Sequence, residues 1–127
     1  MRYDIIHIED HPDERKYMKN AAERQELTYL GLPCLQALKD ALPESSARVY
    51  VVDGKFPRVN RGLIEQLAPE AIATIIACYS DARIVLFSSE DNIDVTAREH
   101  GADFLRKGEH TARSVVENLK PMIDEVK

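Results

Sequence analysis

The chain has 127 residues, of which 44% are apolar and 31% charged, with charge spread along its length and a formal net charge of −5. That length fits one domain, residues 1–127, with a substantial core, and the composition argues for a soluble globular chain rather than a disordered one. The negative balance argues against direct nucleic-acid binding, because the pairs Arg58/Arg61 and Arg106/Lys107 are too small to make a basic footprint.

Taken in chain order, Tyr3–Ile8 is a short apolar run that predicts a strand. His11-Pro12-Asp13-Glu14 predicts a helix start, with proline and acids in the first turn, and Met18, Ala21 and Ala22 supply its apolar face. Leu27–Leu30 is a weaker run and predicts an edge strand. After Pro33, the spacing of Leu35, Leu38, Ala41 and Leu42 marks one buried helical stripe. Arg48–Val52 predicts the next strand. A long third helical region follows, and Pro69 within it either bends that helix or starts a second one over Pro69–Tyr79. Arg83–Phe87 predicts a strand, the short stretch from Ser88 to Gly101 a reduced helix, and Asp103–Arg106 the last strand. Val115, Leu119, Met122, Ile123 and Val126 give a closing helix over Ser114–Val126, which Pro121 is expected to kink or end.

The four strong strand runs are continuous rather than alternating, as strands buried on both faces should be. Strands alternating with helices imply βαβ crossovers. The expected fold is therefore α/β, a doubly wound five-stranded parallel sheet with helices on both faces. No apolar run approaches a membrane span, and the N-terminus lacks a signal-peptide design. Cys34 and Cys78 have no metal-ligand spacing with the four histidines and read as reduced thiols of a cytoplasmic protein.

In such a sheet, ligands sit beyond the carboxyl ends of the strands. Those ends deliver Glu9-Asp10, Asp53, Ser88-Ser89 and Lys107. Each alone has a plain alternative: an acidic helix cap, a turn aspartate before Gly54, a serine cap, a solvated lysine. Together they are costly, since two carboxylates about 5 Å apart repel by about 3 kcal/mol at an effective dielectric near 20. Such a cluster needs a cation, a proton or a lysine, and Mg²⁺ suits an all-oxygen site with few protein carboxylates.

The segments IIHIEDHPDE, VYVVDGKFP, IVLFSSED and GADFLRKG, in this order, resemble the signature segments of response regulator receiver domains over essentially the whole chain. The resemblance implies a flavodoxin-like receiver topology and a two-component signalling role. Asp53 would accept a phosphoryl group from a histidine kinase or phosphotransfer protein. Glu9, Asp10, Asp53 and the backbone carbonyl of Lys55 would hold Mg²⁺, while Ser88 and Lys107 would contact the phosphoryl group. Phe104 stands at the family's aromatic switch, or is simply a packed aromatic. The implied product is a switched surface for a downstream protein target, with a homodimer as one option. No enzymatic activity beyond self-catalysed phosphorylation and dephosphorylation is implied.

The chain departs from the pattern at several points. Gly108 stands where the family usually has a proline after the lysine, and Gly62 comes one residue late. Lys55 borders the acidic pocket, where it either lends only its carbonyl or tunes phosphate lifetime. Three other readings compete. A pseudo-receiver would act only as an interaction module, but no member of the acid, hydroxyl and lysine set is missing. A haloacid-dehalogenase-type phosphatase needs a second acid two residues after the nucleophile, where this chain has Lys55. A nucleotide or flavin binder lacks a Gly-rich loop after the first strand.

Overall fold

Twelve elements follow one another through residues 1–126, the part of the chain that the computed structural model describes. They are β1 (Arg2–Ile8), α1 (Pro12–Arg24), β2 (Tyr29–Leu32), α2 (Leu35–Ala41), β3 (Ser46–Asp53), β4 (Phe56–Pro57), β5 (Ile64–Glu65), α3 (Ala68–Cys78), β6 (Arg83–Ser88), α4 (Ile93–Glu99), β7 (Asp103–Arg106) and α5 (Ala112–Val126). Five strands form a parallel sheet in the order β2-β1-β3-β6-β7, the doubly wound arrangement expected from the alternation.

Alternation along the three central strands builds two cores. Ile6, Ile8, Tyr50, Val52, Ile84 and Leu86 point to the face covered by α2, α3 and α4. Ile5, Val49, Val51, Val85 and Phe87 point to the face covered by α1 and α5. Burial on both sides explains the continuous apolar runs, each such side chain contributing roughly 1.5–3 kcal/mol. The reversal of strand direction of growth falls between β1 and β3, which lie side by side at the centre, so the first and third strands open onto the same crevice.

Several boundaries differ from expectation for local reasons. Leu27 is not a strand residue. Its N–H bonds Ala22 O at 2.9 Å and its buried side chain closes α1, with Glu26 in the left-handed region at φ 59°, so β2 begins at Tyr29. The last strand is not buried on both faces. β7 lies at the sheet edge, with Asp103 and Phe104 exposed. Before α3 the chain makes no helix but a short antiparallel hairpin, pairing Phe56 with Glu65 and Pro57 with Ile64. α3 itself starts at Ala68 with Pro69 in its first turn, where the missing N–H costs nothing.

α4 is reduced to seven residues, as expected from the short stretch. α5 starts two residues before Ser114 because Thr111 and Ser114 cap each other. Thr111 Oγ1 accepts from Ser114 N–H at 3.2 Å, and Ser114 Oγ accepts from Thr111 N–H at 2.9 Å. It runs on through Pro121 to Val126, held on either side of the proline by buried Leu119 and Ile123. No helix among the described residues is long and apolar enough to cross a membrane.

Candidate phosphoacceptor and metal site

The carboxyl ends of β1, β3 and β6 meet at a cleft of about 350 Å³ lined by Asp10, Glu14, Asp53, Lys55, Ser88 and Lys107, among others. Glu9 follows the last residue of β1. Its N–H bonds Leu32 O at 2.9 Å, its carbonyl accepts from Arg15 Nη1 at 2.6 Å, and its side chain is fully buried. Asp53 and Ser88 are the final residues of β3 and β6, and both are buried. Lys107 lies one residue past β7, its N–H bonded to Ser88 O at 3.0 Å.

The acids converge as their positions at the strand ends predict. Glu9, Asp10 and Asp53 each offer a carboxylate oxygen, all within 4.8 Å of one another. Lys107 Nζ stands among the carboxylates, 3.3 Å from Glu9 Oε1 and 3.2 Å from Asp53 Oδ1. Asp53 Oδ1 also accepts from Gly54 N–H at 2.8 Å, whereas its Oδ2 takes no hydrogen bond from the described residues. Glu9 Oε2 is buried with no hydrogen-bond partner among the described residues. An orphaned buried carboxylate oxygen is expensive unless a cation meets it. A hard, all-oxygen donor set with one such oxygen fits Mg²⁺.

Ser88 faces the same cleft, and its Oγ accepts from Glu90 N–H at 3.2 Å. Lys55 lies at the rim, about half exposed, with Nζ 3.8 Å from Glu90 Oε1. Phe104 is turned outward, 40% exposed, with the Arg106 guanidinium 5.5 Å from its ring centroid. His11 occupies the cap position of α1 without a side-chain capping bond.

Three residues of this region escaped the sequence reading. Glu14, which looked like a first-turn helix acid, reaches Lys107 Nζ at 3.2 Å. Its signal was position: one helical turn past Asp10, on the turn that begins over the strand end. Glu90 pairs with Lys55, and only its place two residues past Ser88 hinted at the cleft.

His7 is buried beneath the acids, and its Nδ1 shares a 2.7 Å hydrogen bond with Tyr29 OH. Burial, aided by the charges of Lys107 and Arg15 and opposed by that of Asp53, pushes the imidazole down to about 3. Its signal was a histidine inside a continuous apolar strand. The imidazole lines a second, more apolar cavity of about 200 Å³ with Tyr17, Met18, Phe87 and Ala112, separated from the cleft by Glu14 and Lys107.

No family model and no curated protein matches the chain. Solved structures do. The response regulator receiver domain protein (CheY-like) from Methanospirillum hungatei JF-1 is similar over 98% of this chain and 94% of its own, with a TM-score of 0.79 at 15% identity. The receiver domain of the Francisella response regulator 1452 covers 98% of this chain and 99% of its own, with a TM-score of 0.80 at 10% identity. The signal receiver domain of an HD domain-containing protein from Pseudomonas fluorescens Pf-5 covers 99% and 98%, with a TM-score of 0.78 at 12% identity. The likenesses establish a receiver-domain fold over nearly the whole chain.

Proposed function

We propose that this receiver-fold chain is a phosphoacceptor module of two-component signalling, loaded on Asp53 by a histidine kinase or phosphotransfer protein. The observation that carries the reading is the placement of one ammonium, Lys107 Nζ, between the buried carboxylates of Glu9 and Asp53. Carboxylates buried around one ammonium are costly, and such clusters concentrate at functional sites.

Asp53 Oδ2, free of hydrogen bonds from the described residues, is the attacking oxygen. Its bond to phosphorus forms as the bond from phosphorus to the donor's nitrogen or oxygen breaks, and the leaving group departs with that electron pair. Lys107 then meets a phosphoryl oxygen as a point charge, and the Ser88 hydroxyl donates to another. Glu9, Asp10, Asp53 and the Lys55 carbonyl are the Mg²⁺ ligands in this reading. When bound, the ion supplies neutralisation of the clustered carboxylates and of the incoming phosphoryl charge. The loaded state would be read by a downstream protein target, as a monomer or a homodimer, through a two-state surface that includes Phe104.

The second reading, an interaction module that is never phosphorylated, draws on the seven-residue α4 and the hairpin before α3. One experiment separates the two. Intact mass is measured after incubation with acetyl phosphate and Mg²⁺, for wild type and Asp53→Asn. A single phosphoryl adduct in wild type alone supports the phosphoacceptor; no adduct in either supports the interaction module.

A further inference from the structure

The Lys107 backbone is tied to β6 through its N–H bond to Ser88 O at 3.0 Å, but that bond does not fix the end of its long side chain. Lys107 lies beyond the end of β7, and the next residue is Gly108 at φ +93°, where an added Cβ would find nothing within 4 Å. A lysine carries four rotatable side-chain bonds, so its ammonium must be held by what surrounds it. Phe87 gives one contact, its ring centroid lying 5.4 Å from Nζ. Three carboxylates give the rest: Glu9, Asp53 and Glu14, at 3.3, 3.2 and 3.2 Å.

These three are not equivalent. Glu9 and Asp53 belong to the acidic trio that can surround a cation, and Asp53 is the proposed acceptor. Both oxygens now facing Lys107 would change their electrostatics once a cation and a phosphoryl group were bound there. Glu14 stands outside that trio, on the first turn of α1, with its side chain 43% exposed. Its base is fixed. The next residue, Arg15, bonds Glu9 O at 2.6 Å, and Met18, Ala21 and Ala22 bury the same helix against the sheet.

We propose that Glu14 is a positioning residue, which holds the Lys107 ammonium over Asp53 from α1 while Glu9 and Asp53 are engaged by the cation and the phosphoryl group. This inference rests on the phosphoacceptor reading of Asp53.

Two readouts on the full chain test it. In metal-free protein, the Lys107 Nζ resonance in nitrogen-proton correlation spectra is compared between wild type and Glu14→Gln. The resonance is expected to shift and broaden in the variant, and superimposable spectra would overturn the proposal. Phosphorylation by acetyl phosphate with saturating Mg²⁺ is then followed by intact mass in wild type, Glu14→Gln, Lys107→Ala and the double variant.

Glu14→Gln is expected to slow adduct formation about fivefold, the kinetic size of one partly exposed ion pair. In the Lys107→Ala background it is expected to add nothing. Wild-type rates in Glu14→Gln, or equal slowing in the two backgrounds, would overturn the positioning role and leave Asp53 as acceptor. No adduct even in wild type would instead overturn the phosphoacceptor reading, and this inference with it.

Discussion

A Cβ placed on Gly54 would lie 2.5 Å from Ser88 Oγ and 3.1 Å from Ser88 Cβ, so the residue after Asp53 and the last residue of β6 approach as closely as glycine alone allows. That approach sets Ser88 against the residue after Asp53, in the cleft that both Ser88 and Asp53 line. Gly54→Ala is expected to destabilise the fold by about 1–3 kcal/mol through overpacking and to slow phosphorylation. Adding Ser88→Gly should recover part of the stability but not the phosphorylation rate. Urea denaturation of the single and double variants checks this; an unaffected Gly54→Ala would show that the loop moves aside freely.

The charge balance of the cleft gives a second prediction. Glu9, Asp53 and Glu14 pair with Lys107, Asp10 joins Glu9 and Asp53 in the acidic trio, and Lys55 stands only at the rim. In chelator, Asp53→Asn is expected to stabilise the fold by roughly 1–3 kcal/mol through relief of repulsion. Lys107→Met should do the opposite, and its cost should shrink when Mg²⁺ is added. Thermal melts in chelator and in Mg²⁺ provide both comparisons, and a Lys107→Met penalty independent of Mg²⁺ would contradict a cation site among these acids.

Much of this cleft was legible before the structure. Alternating strands and helices put Glu9, Asp10, Asp53, Ser88 and Lys107 at strand ends, and a parallel sheet brings those ends to one edge. What stayed hidden depends on side-chain reach and on very short elements. Glu14 carried the same signature as any first-turn helix acid, and only the tertiary approach of Lys107 gives it a partner. The β4–β5 hairpin has two residues per strand, too few for any periodic signal. Leu27 was apolar because it closes α1 rather than because it pairs in the sheet. β7 read as a central strand from Phe104 and Leu105, yet nothing in its composition reveals which strands lie at an edge.

His7 gives a pH prediction. Its folded value of about 3 lies below the roughly 6.5 of an unfolded histidine. Across that window the unfolded chain binds a proton that the folded chain does not. Stability therefore falls as pH drops, by up to about 1.4 kcal/mol per pH unit from this residue. Asp4, held below its ordinary range by hydrogen bonds from Thr28 and Arg48 that outweigh its burial, acts in the same direction at lower pH. It is present in both proteins when wild type is compared with His7→Gln, so the difference isolates the imidazole. The variant should show a shallower loss of stability between about pH 6.5 and 4; parallel curves would mean that His7 is protonated in the folded state.

Lys55 has a kinetic prediction. Its ammonium stands at the rim of the cleft beside Glu90. If the side chain screens the phosphoryl group from water, Lys55→Ala should lose the adduct about two- to fivefold faster, the range expected for removing one exposed charge. Dephosphorylation followed by mass after removal of acetyl phosphate measures this. An unchanged lifetime would leave Lys55 with its backbone carbonyl as its sole role in the site.

The most direct test of Asp53 as acceptor is chemical mapping of the loaded residue. Wild type treated with acetyl phosphate and Mg²⁺ is reduced with borohydride, which converts an acyl phosphate to an alcohol, and then digested for peptide mass analysis. Reduction confined to Asp53, and absent when Mg²⁺ is chelated, is the predicted result. Reduction at another carboxylate, or none at any, would contradict the assignment of Asp53 as the phosphoryl acceptor.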